Sequence, residues 1–491
     1  MSVNNKPFYI TTTLPYVNSD PHVGFAMEII RADAIVRYKK LLGYDVFFNT
    51  GTDEHGAKIH ENAIKAGIST QEYVNNYSEK FKDLLTILNI SNDVNFIRTT
   101  DEKHIEASKY IWNKCLENGD IYKKEYKVKY CVGCELEKTD SELVNGKCEF
   151  HPDREIEIRE EENYFFRWSK YQKLLLDFYN NNPNFVIPDF RFNEIKSFVE
   201  RGLEDFSVSR LKSKMPWGVA VPNDEEHVMY VWFDALTNYI STLDWPEGEN
   251  YKKYWEQSSN DKREVIQYCG KDNLRQQSAM WQAMLMSAGL PNSTNIIIDG
   301  FIISGGQKMS KSIGNVISPI EVIETFKDLT DYPEEVLRFV LLHDISSFED
   351  GDVTMESIKE SYQANLANGI GNLTNRIMKM AVTNLEEGVR PEEIIFSKEY
   401  INAFENYDIK KAMEFVMKEV KDLDIYIQST EPFKLVKIDA EKGKEIILEM
   451  TVRLYNVSRL LQPFLPRTSD KIKDCVKNHK MPEKALFNRL A

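Results

Sequence analysis

The sequence predicts an α/β chain: a doubly wound parallel sheet, interrupted by a small lobe of different character and followed by an all-α helical bundle. Three observations carry this reading. Two strand–helix–strand patterns stand on either side of a stretch of short strands and charged turns, and the last third of the chain repeats apolar residues at three and four positions. At 491 residues the chain exceeds one ordinary core, and usual domain sizes suggest roughly three or four units. The expected boundaries are a first half of the sheet domain at 1–119, the inserted lobe at 120–216, the second half at 217–325, a linking stem at 326–354 and the bundle at 355–491.

Phe8-Tyr9-Ile10-Thr11-Thr12 reads as a buried strand, and Asn18-Ser19-Asp20-Pro21 as a helix start with proline at the first helical position. That places His22 in the first helical turn. Val46-Phe47-Phe48 supplies the next strand, and Gly51-Thr52-Asp53-Glu54-His55-Gly56 brings carboxylates to its end. Such a unit forms a right-handed parallel crossover whose ligands bind outside the carboxyl ends of its strands, so His22 and Asp53 are expected to meet there. Helix N-termini attract anions; at His22-Val23-Gly24-Phe25 the imidazole can bond phosphate oxygens and glycine lets a base approach the backbone. A histidine that merely caps its helix and an exposed polar turn at 51–56 are the alternatives.

The lobe carries Cys131-Val132-Gly133-Cys134 and Cys148-Glu149-Phe150-His151, a C-x2-C-x13-C-x2-H spacing. Four such ligands, Cys131, Cys134, Cys148 and His151, fit a closed tetrahedral Zn2+ site, which has no open position and is therefore structural. Cys115, Cys269 and Cys475 are scattered and read as reduced packing residues.

After the lobe, the aromatic-rich segment from Met229 to Tyr239 can pack as core or line an apolar pocket. Val265-Ile266-Gln267-Tyr268, a helix from about Asp272 to Leu290, and Ile296-Ile297-Ile298 make the second strand–helix–strand unit. It leads into Gly305-Gly306-Gln307-Lys308-Met309-Ser310-Lys311-Ser312. Two lysines, two hydroxyls and two glycines in one loop suit phosphate, with hydroxyls and amides donating and the ammonium groups offsetting charge on a leaving group. A nucleotide is expected between His22 and Lys308.

From Met355 through Ile358, Tyr362, Leu366, Ile370, Leu373 and Ile377 runs an amphipathic helical stripe. Met413, Val416, Val420, Leu423 and Ile427 form a second, and Ile447, Met450, Leu454, Val457 and Leu461 a third, which Pro463 and Pro466 are expected to stop.

Composition narrows the function classes. Hydrophobic residues make up 42% and aromatics 12%, enough for several cores, and no apolar run is long enough for a membrane helix. No membrane association is expected, and the polar start lacks a secretory or transit signature, so the cytoplasm is the default. A net charge of -15 argues against a general polyanion binder while leaving room for local lysine patches.

Taken together, the histidine-glycine helix start, the KMSKS loop, the zinc knuckle between half-sheets and the helical bundle resemble class I aminoacyl-tRNA synthetases with their Rossmann-type sheet. More narrowly the chain is similar to the methionyl-tRNA synthetase family. Leu14-Pro15-Tyr16, the segment from Gly202 to Arg210, Tyr230-Val231-Trp232-Phe233-Asp234-Ala235 and Asn368-Gly369-Ile370-Gly371-Asn372-Leu373 are each like a family signature.

This resemblance implies attack of the methionine carboxylate on the α-phosphate of ATP, with Mg2+ accompanying the nucleotide, then transfer to tRNA(Met), the initiator included. It assigns ATP to His22, Gly24, Lys308, Ser310 and Lys311, with His22, Lys308 and Lys311 catalytic. Leu14, Tyr16, Asp53, Trp232, Ala235, Leu236, Tyr239 and Gln277 would hold methionine, Asp53 taking its ammonium. Asn372, Arg376, Pro432 and Phe433 would read the anticodon, by hydrogen bonding and stacking. A packed-core role is the rival for Phe433.

Three positions depart from the family pattern: Phe25 replaces a second histidine, Asn273 and Gln277 replace an isoleucine and a histidine, and Phe433 replaces a tryptophan. A monomer is expected, because an appended C-terminal tRNA-binding domain found in some relatives is missing. Synthetases for leucine, isoleucine and valine carry an editing domain for which 120–216 leaves no room. The remaining readings are a tRNA-binding protein that has lost catalysis and a small-molecule nucleotidyltransferase.

Overall fold

The computed structural model describes residues 5–131, 136–138, 143–144, 146–148, 153, 155–256, 263–309, 315–391 and 396–490. Its centre is a six-stranded parallel sheet, ordered Asn95–Arg98, Asp45–Thr52, Pro7–Thr12, Glu264–Gly270, Asn295–Asp299, Val186–Ile187. The strand order reverses between Pro7–Thr12 and Glu264–Gly270, the switch point at which an open α/β sheet leaves a crevice. Four of these strands are the apolar runs expected from sequence. Asn95–Arg98 and Val186–Ile187 are short edge strands whose few apolar residues gave no periodic signal, and Val186–Ile187 joins the sheet from within the 120–216 segment.

Alternation along the strands sorts side chains into two cores. Phe8, Ile10, Ile266 and Ile297 face a core that includes Ile29 and Ile30 of the first helix and continues into the bundle through Leu341, Ile377, Met413 and Leu454. Tyr9, Val265, Ile296 and Ile298 face the opposite core, built around Trp112, Trp255 and Trp281.

The first helix runs Val23–Leu41, beginning two residues beyond Pro21; His22 is extended and accepts from the Gly24 amide, so it stands before the first turn rather than in it. The expected helix from Asp272 to Leu290 is broken into a 3-10 turn at Lys271–Asn273, a π stretch at Gln276–Met280 and an α-helix at Trp281–Ser287. Such local widening is frequent beside functional pockets.

The inserted lobe is built on two long antiparallel strands, Ile121–Cys131 and Ile156–Phe166, paired from Ile121 with Phe166 to Cys131 with Ile156. A short hairpin of Leu143–Val144 and Lys147–Cys148 falls in the sequence between them. The backbones of Cys131 and Cys148 are in these strands, whereas their side chains, together with Cys134 and His151, lie outside the described residues, and the zinc assignment with them.

In the C-terminal region, Met355–Ser361, a π stretch at Tyr362–Gly371 and Asn372–Asn384 follow without a gap as one helical rod, opened by a Thr354–Ser357 capping box. Ile409–Thr430 and Ala440–Leu461 carry the other two predicted stripes. Pro466, expected as a stop, sits in the first turn of one more helix, Pro466–Lys477, where its missing N–H costs nothing.

The bundle is tied to the sheet domain by buried charge. Arg338 Nη1 lies 2.8 Å from Asp33 Oδ2, both fully buried, and Arg338 Nε donates to the Phe464 carbonyl at 2.8 Å. Among the described residues, no helix is long and apolar enough to cross a membrane.

Candidate active site

A cavity of about 1050 Å³ opens over the switch point, beyond the ends of Pro7–Thr12, Glu264–Gly270 and Asn295–Asp299. Its lining includes His22 and Gly24 together with Leu14, Tyr16, Asp53, Trp232, Ala235, Leu236, Tyr239 and Gln277. The aromatic segment that could have been core therefore does both: Phe233 is fully buried, while half-buried Trp232 faces the cavity.

His22 Nδ1 accepts from the Gly24 amide at 3.1 Å, so in the neutral imidazole the proton resides on Nε2. The cap of the helix thus occupies Nδ1. A Cβ at Gly24 would stand 2.9 Å from His22 Cε1, which explains the glycine by close approach. Phe25, itself part of the cavity lining, makes an edge-on contact with Phe81, ring centroids 5.1 Å apart, and leaves one imidazole at this helix start.

The 51–56 segment is buried rather than an exposed turn. Glu54 receives Arg98 Nε at 2.7 Å and Nη2 at 2.9 Å and is fully buried. His55 Nδ1 lies 2.6 Å from Asp234 Oδ2, and His104 Nε2 2.8 Å from Asp234 Oδ1. Burial alone would raise the Asp234 carboxyl, but the two imidazoles pull it well below the usual carboxylate range. Asp234 thus joins the 51–56 segment to helix Val231–Leu236, the two segments that bring Asp53 and Trp232 to the cavity.

Asp53 is held through its backbone, its N–H donating to the Pro15 carbonyl at 2.9 Å and its carbonyl accepting from Val17 at 3.1 Å. Its carboxylate Oδ1 is buried and has no hydrogen-bond partner. Burial, reinforced by Asp234, pushes this carboxyl well above its usual range. A buried carboxylate oxygen without a hydrogen-bond partner is costly and becomes favourable once a cation reaches it.

Gln277, which departs from the family pattern, is held on both sides. Gln267 Nε2 donates to Gln277 Oε1 at 2.5 Å, and Gln277 Nε2 donates to the Tyr239 hydroxyl. Asn273 donates to Asp272 Oδ1 at 3.2 Å on the cavity rim.

Glu28, Asp272 and Asp299 also line the cavity, and sequence reasoning missed all three. Burial raises the Asp299 carboxyl to about 7 despite Arg31, whose Nη1 lies 3.7 Å away. Only the carboxyl ends of the second-half strands could have signalled two of them.

The lysine loop rises from a hairpin of Ile302–Ser304 with Gln307–Lys308. The backbone of Lys308 is placed there; its side chain, Ser310 and Lys311 lie outside the described residues. The Gly305 and Gly306 amides, expected to meet phosphate, are instead taken by the Asp352 carboxylate at 2.8 and 2.7 Å.

In the bundle, Asn372 and Arg376 lie on the rod, and Arg376 pairs with Asp424 of Ile409–Thr430, the helix whose end leads to Pro432 and Phe433. Pro432 is buried. Phe433 is 46% exposed, which removes the packed-core alternative.

Comparison with known proteins agrees with this geometry. The family model described as tRNA synthetases class I (M) matches residues 8–155 and 133–378. The methionine–tRNA ligase of Rhizobium meliloti (strain 1021) is 38% identical over 492 residues, spanning 96% of this chain and 92% of the relative. That of Thermotoga maritima is 38% identical, spanning 97% and 76%. The structure of Mycobacterium tuberculosis methionyl-tRNA synthetase in complex with methionyl-adenylate superposes with a TM-score of 0.85 at 34% identity, covering 99% of this chain and 100% of that one. With a family model matching well over half its length and relatives of this identity, the chain belongs to the class I tRNA synthetases, in their methionyl branch.

Proposed function

We propose that this chain activates methionine with ATP and attaches it to tRNA through a methionyl-adenylate intermediate. The observation that carries the reading is the unpartnered, buried Asp53 carboxylate oxygen set among Leu14, Tyr16, Trp232 and Tyr239, beside the His22–Gly24 helix start. A zwitterion with an apolar side chain fits that combination. Asp53 takes the ammonium, the aromatic walls take the thioether, and the carboxylate is left pointing toward the nucleotide side.

In the first step a methionine carboxylate oxygen attacks the α-phosphorus of ATP, the bond to the bridging oxygen breaks, and pyrophosphate leaves. In the second, a terminal ribose hydroxyl of tRNA attacks the adenylate carbonyl, AMP leaves, and the hydroxyl proton is lost. His22 Nε2 donates to a phosphate oxygen, and Lys308 and Lys311 offset the charge that grows on pyrophosphate. Asp272 and Asp299 offer acceptors to the nucleotide hydroxyls. Because these groups act through position and charge, the rate follows how accurately the two halves of the sheet hold them. Mg2+ bound with ATP would neutralise part of the phosphate charge.

Zn2+ bound by Cys131, Cys134, Cys148 and His151 would fix the tip of the inserted lobe. Three thiolates and one imidazole are a donor set suited to it, and the short hairpin Leu143–Val144/Lys147–Cys148 ends at one of the ligands. Asn372, Arg376 and the exposed Phe433 ring are proposed to meet the anticodon.

Amino-acid-dependent exchange of labelled pyrophosphate into ATP tests the reading, with methionine, leucine, isoleucine, valine and cysteine run in parallel. Exchange with methionine alone is expected. Exchange with another amino acid instead overturns the substrate, and none with any overturns the activity.

A further inference from the structure

The Asp352 carboxylate spans two consecutive backbone amides, accepting from Gly305 through Oδ1 at 2.8 Å and from Gly306 through Oδ2 at 2.7 Å. Both glycines have positive φ, 63° and 73°, the pair that a tight two-residue hairpin turn requires. In this conformation successive N–H groups converge and form an anion-binding concavity. The anion that fills it belongs to the chain itself.

Asp352 is held in place for this contact. Strand Gly351–Asp352 pairs in parallel with the hairpin strand, Ile302 with Gly351 and Ile303 with Asp352. Val353 next to it is buried in the core that continues into the bundle, so alternation directs the Asp352 side chain toward the hairpin turn. The Val353 amide donates to the Ile303 carbonyl at 3.0 Å. Thr354 then caps the helical rod. Beyond the turn, Gln307–Lys308 is the return strand of the same hairpin, with Lys308 opposite Ile303.

We propose that Asp352 is a positioning residue for adenylation. By gripping both amides of the Gly305–Gly306 turn it fixes the pose of the Gln307–Lys308 strand, and so where Lys308 meets the phosphates of ATP. This role rests on the activation of methionine by ATP proposed above. The carboxylate touches no substrate; it acts through the hairpin. Without it the turn keeps its strand pairing but gains freedom to tilt, and misplacement of a charge-stabilising group by about 1 Å costs on the order of a hundredfold in rate.

The test is steady-state pyrophosphate exchange by the full chain and its Asp352→Asn and Asp352→Ala variants, with ATP, pyrophosphate and methionine each varied. Asn keeps the size but offers one acceptor oxygen and turns an NH2 group toward the second amide; Ala removes both contacts. Both variants are expected to lower kcat roughly ten- to a hundredfold and to raise the KM for ATP. The KM for methionine and the Tm should stay at wild-type values, because the side chain is exposed and remote from the Asp53 pocket. Unchanged kcat and ATP KM in both variants overturn the role. So does a loss spread equally over ATP and methionine with a fallen Tm, which marks a merely structural residue. A wild type inactive with methionine overturns the functional reading and this role together, and is distinguished by the wild-type control alone.

Discussion

Gln277 donates its side-chain amide to the Tyr239 hydroxyl, while its own carbonyl oxygen is fixed by Gln267 Nε2 at 2.5 Å. Gln267 is in turn held by Ser293 and by Gln282 Nε2 at 3.5 Å. The chain of amides sets the direction of each donor, so the Tyr239 oxygen receives a hydrogen and its own proton is turned away from Gln277. Gln277→Leu leaves Gln267 and Tyr239 each short of a partner in a fully buried site, at about 1–3 kcal/mol for each group. The methionine KM is expected to rise roughly tenfold or more with the ATP KM unchanged. Exchange kinetics with each substrate varied check this.

Asp53→Asn removes the anion but keeps the shape. A buried charge pair that loses one partner costs about 2–5 kcal/mol, so the methionine KM should rise at least about thirtyfold. The wild type should show a pH dependence of the same origin. Because burial and Asp234 raise the Asp53 carboxyl well above its usual range, a falling pH protonates it and weakens methionine binding before ordinary carboxylates titrate. The profile of methionine KM against pH shows this limb in the wild type and loses it in Asp53→Asn.

Phe25→His should add a second imidazole one helical turn after His22. The exchange of phenyl for imidazole gives up part of the edge-on contact with Phe81, about 1 kcal/mol of stability. The expected outcome is a slightly lower Tm with kcat for exchange raised several-fold, up to about tenfold, as an extra phosphate donor lowers the barrier. A thermal melt and exchange kinetics on one preparation measure both.

Glu335 supplies a stability test. It is buried beside the start of Pro466–Lys477, accepting from Arg467 N at 2.6 Å and Thr468 N at 3.0 Å, and burial raises its carboxyl to about 7. The folded state therefore holds this proton more tightly than the unfolded state, where an ordinary glutamate titrates near about 4.3. Stability falls as pH rises between those two values and levels off above the upper one. Glu335→Gln should show a smaller loss of Tm between these limits than the wild type.

The sequence made the centre of this molecule legible and left its margins blank, for physical reasons. Four sheet strands are continuous apolar runs because helices cover both faces, whereas Val186–Ile187 offers two residues and no period. The bundle stripes appear as predicted because packing imposes a helical period. His22, Asp53 and the aromatic wall were visible as motif residues at element ends, and the structure brings them into one cavity. Asp234 was visible only as a letter in a signature. Its bonds to His55 and His104 join three segments distant in the chain, and no local pattern encodes such a contact. Asp352 was invisible for the same reason: it is an ordinary acidic residue until the parallel pairing with Ile303 brings it to the glycine turn.

Zinc content gives an independent check on the lobe. Atomic emission of the purified chain should find one Zn2+ per molecule, lost in Cys148→Ser, while a chain free of zinc would remove the assignment of Cys131, Cys134, Cys148 and His151.

Transfer of methionine to tRNA tests the proposed activity as a whole. Purified chain, ATP, Mg2+ and total tRNA are incubated with labelled methionine, and in parallel with labelled leucine, isoleucine, valine and cysteine, and the alkali-labile label on tRNA is counted. Label from methionine only is expected. Label from another amino acid in its place, or adenylate formation with no label on tRNA, would contradict it.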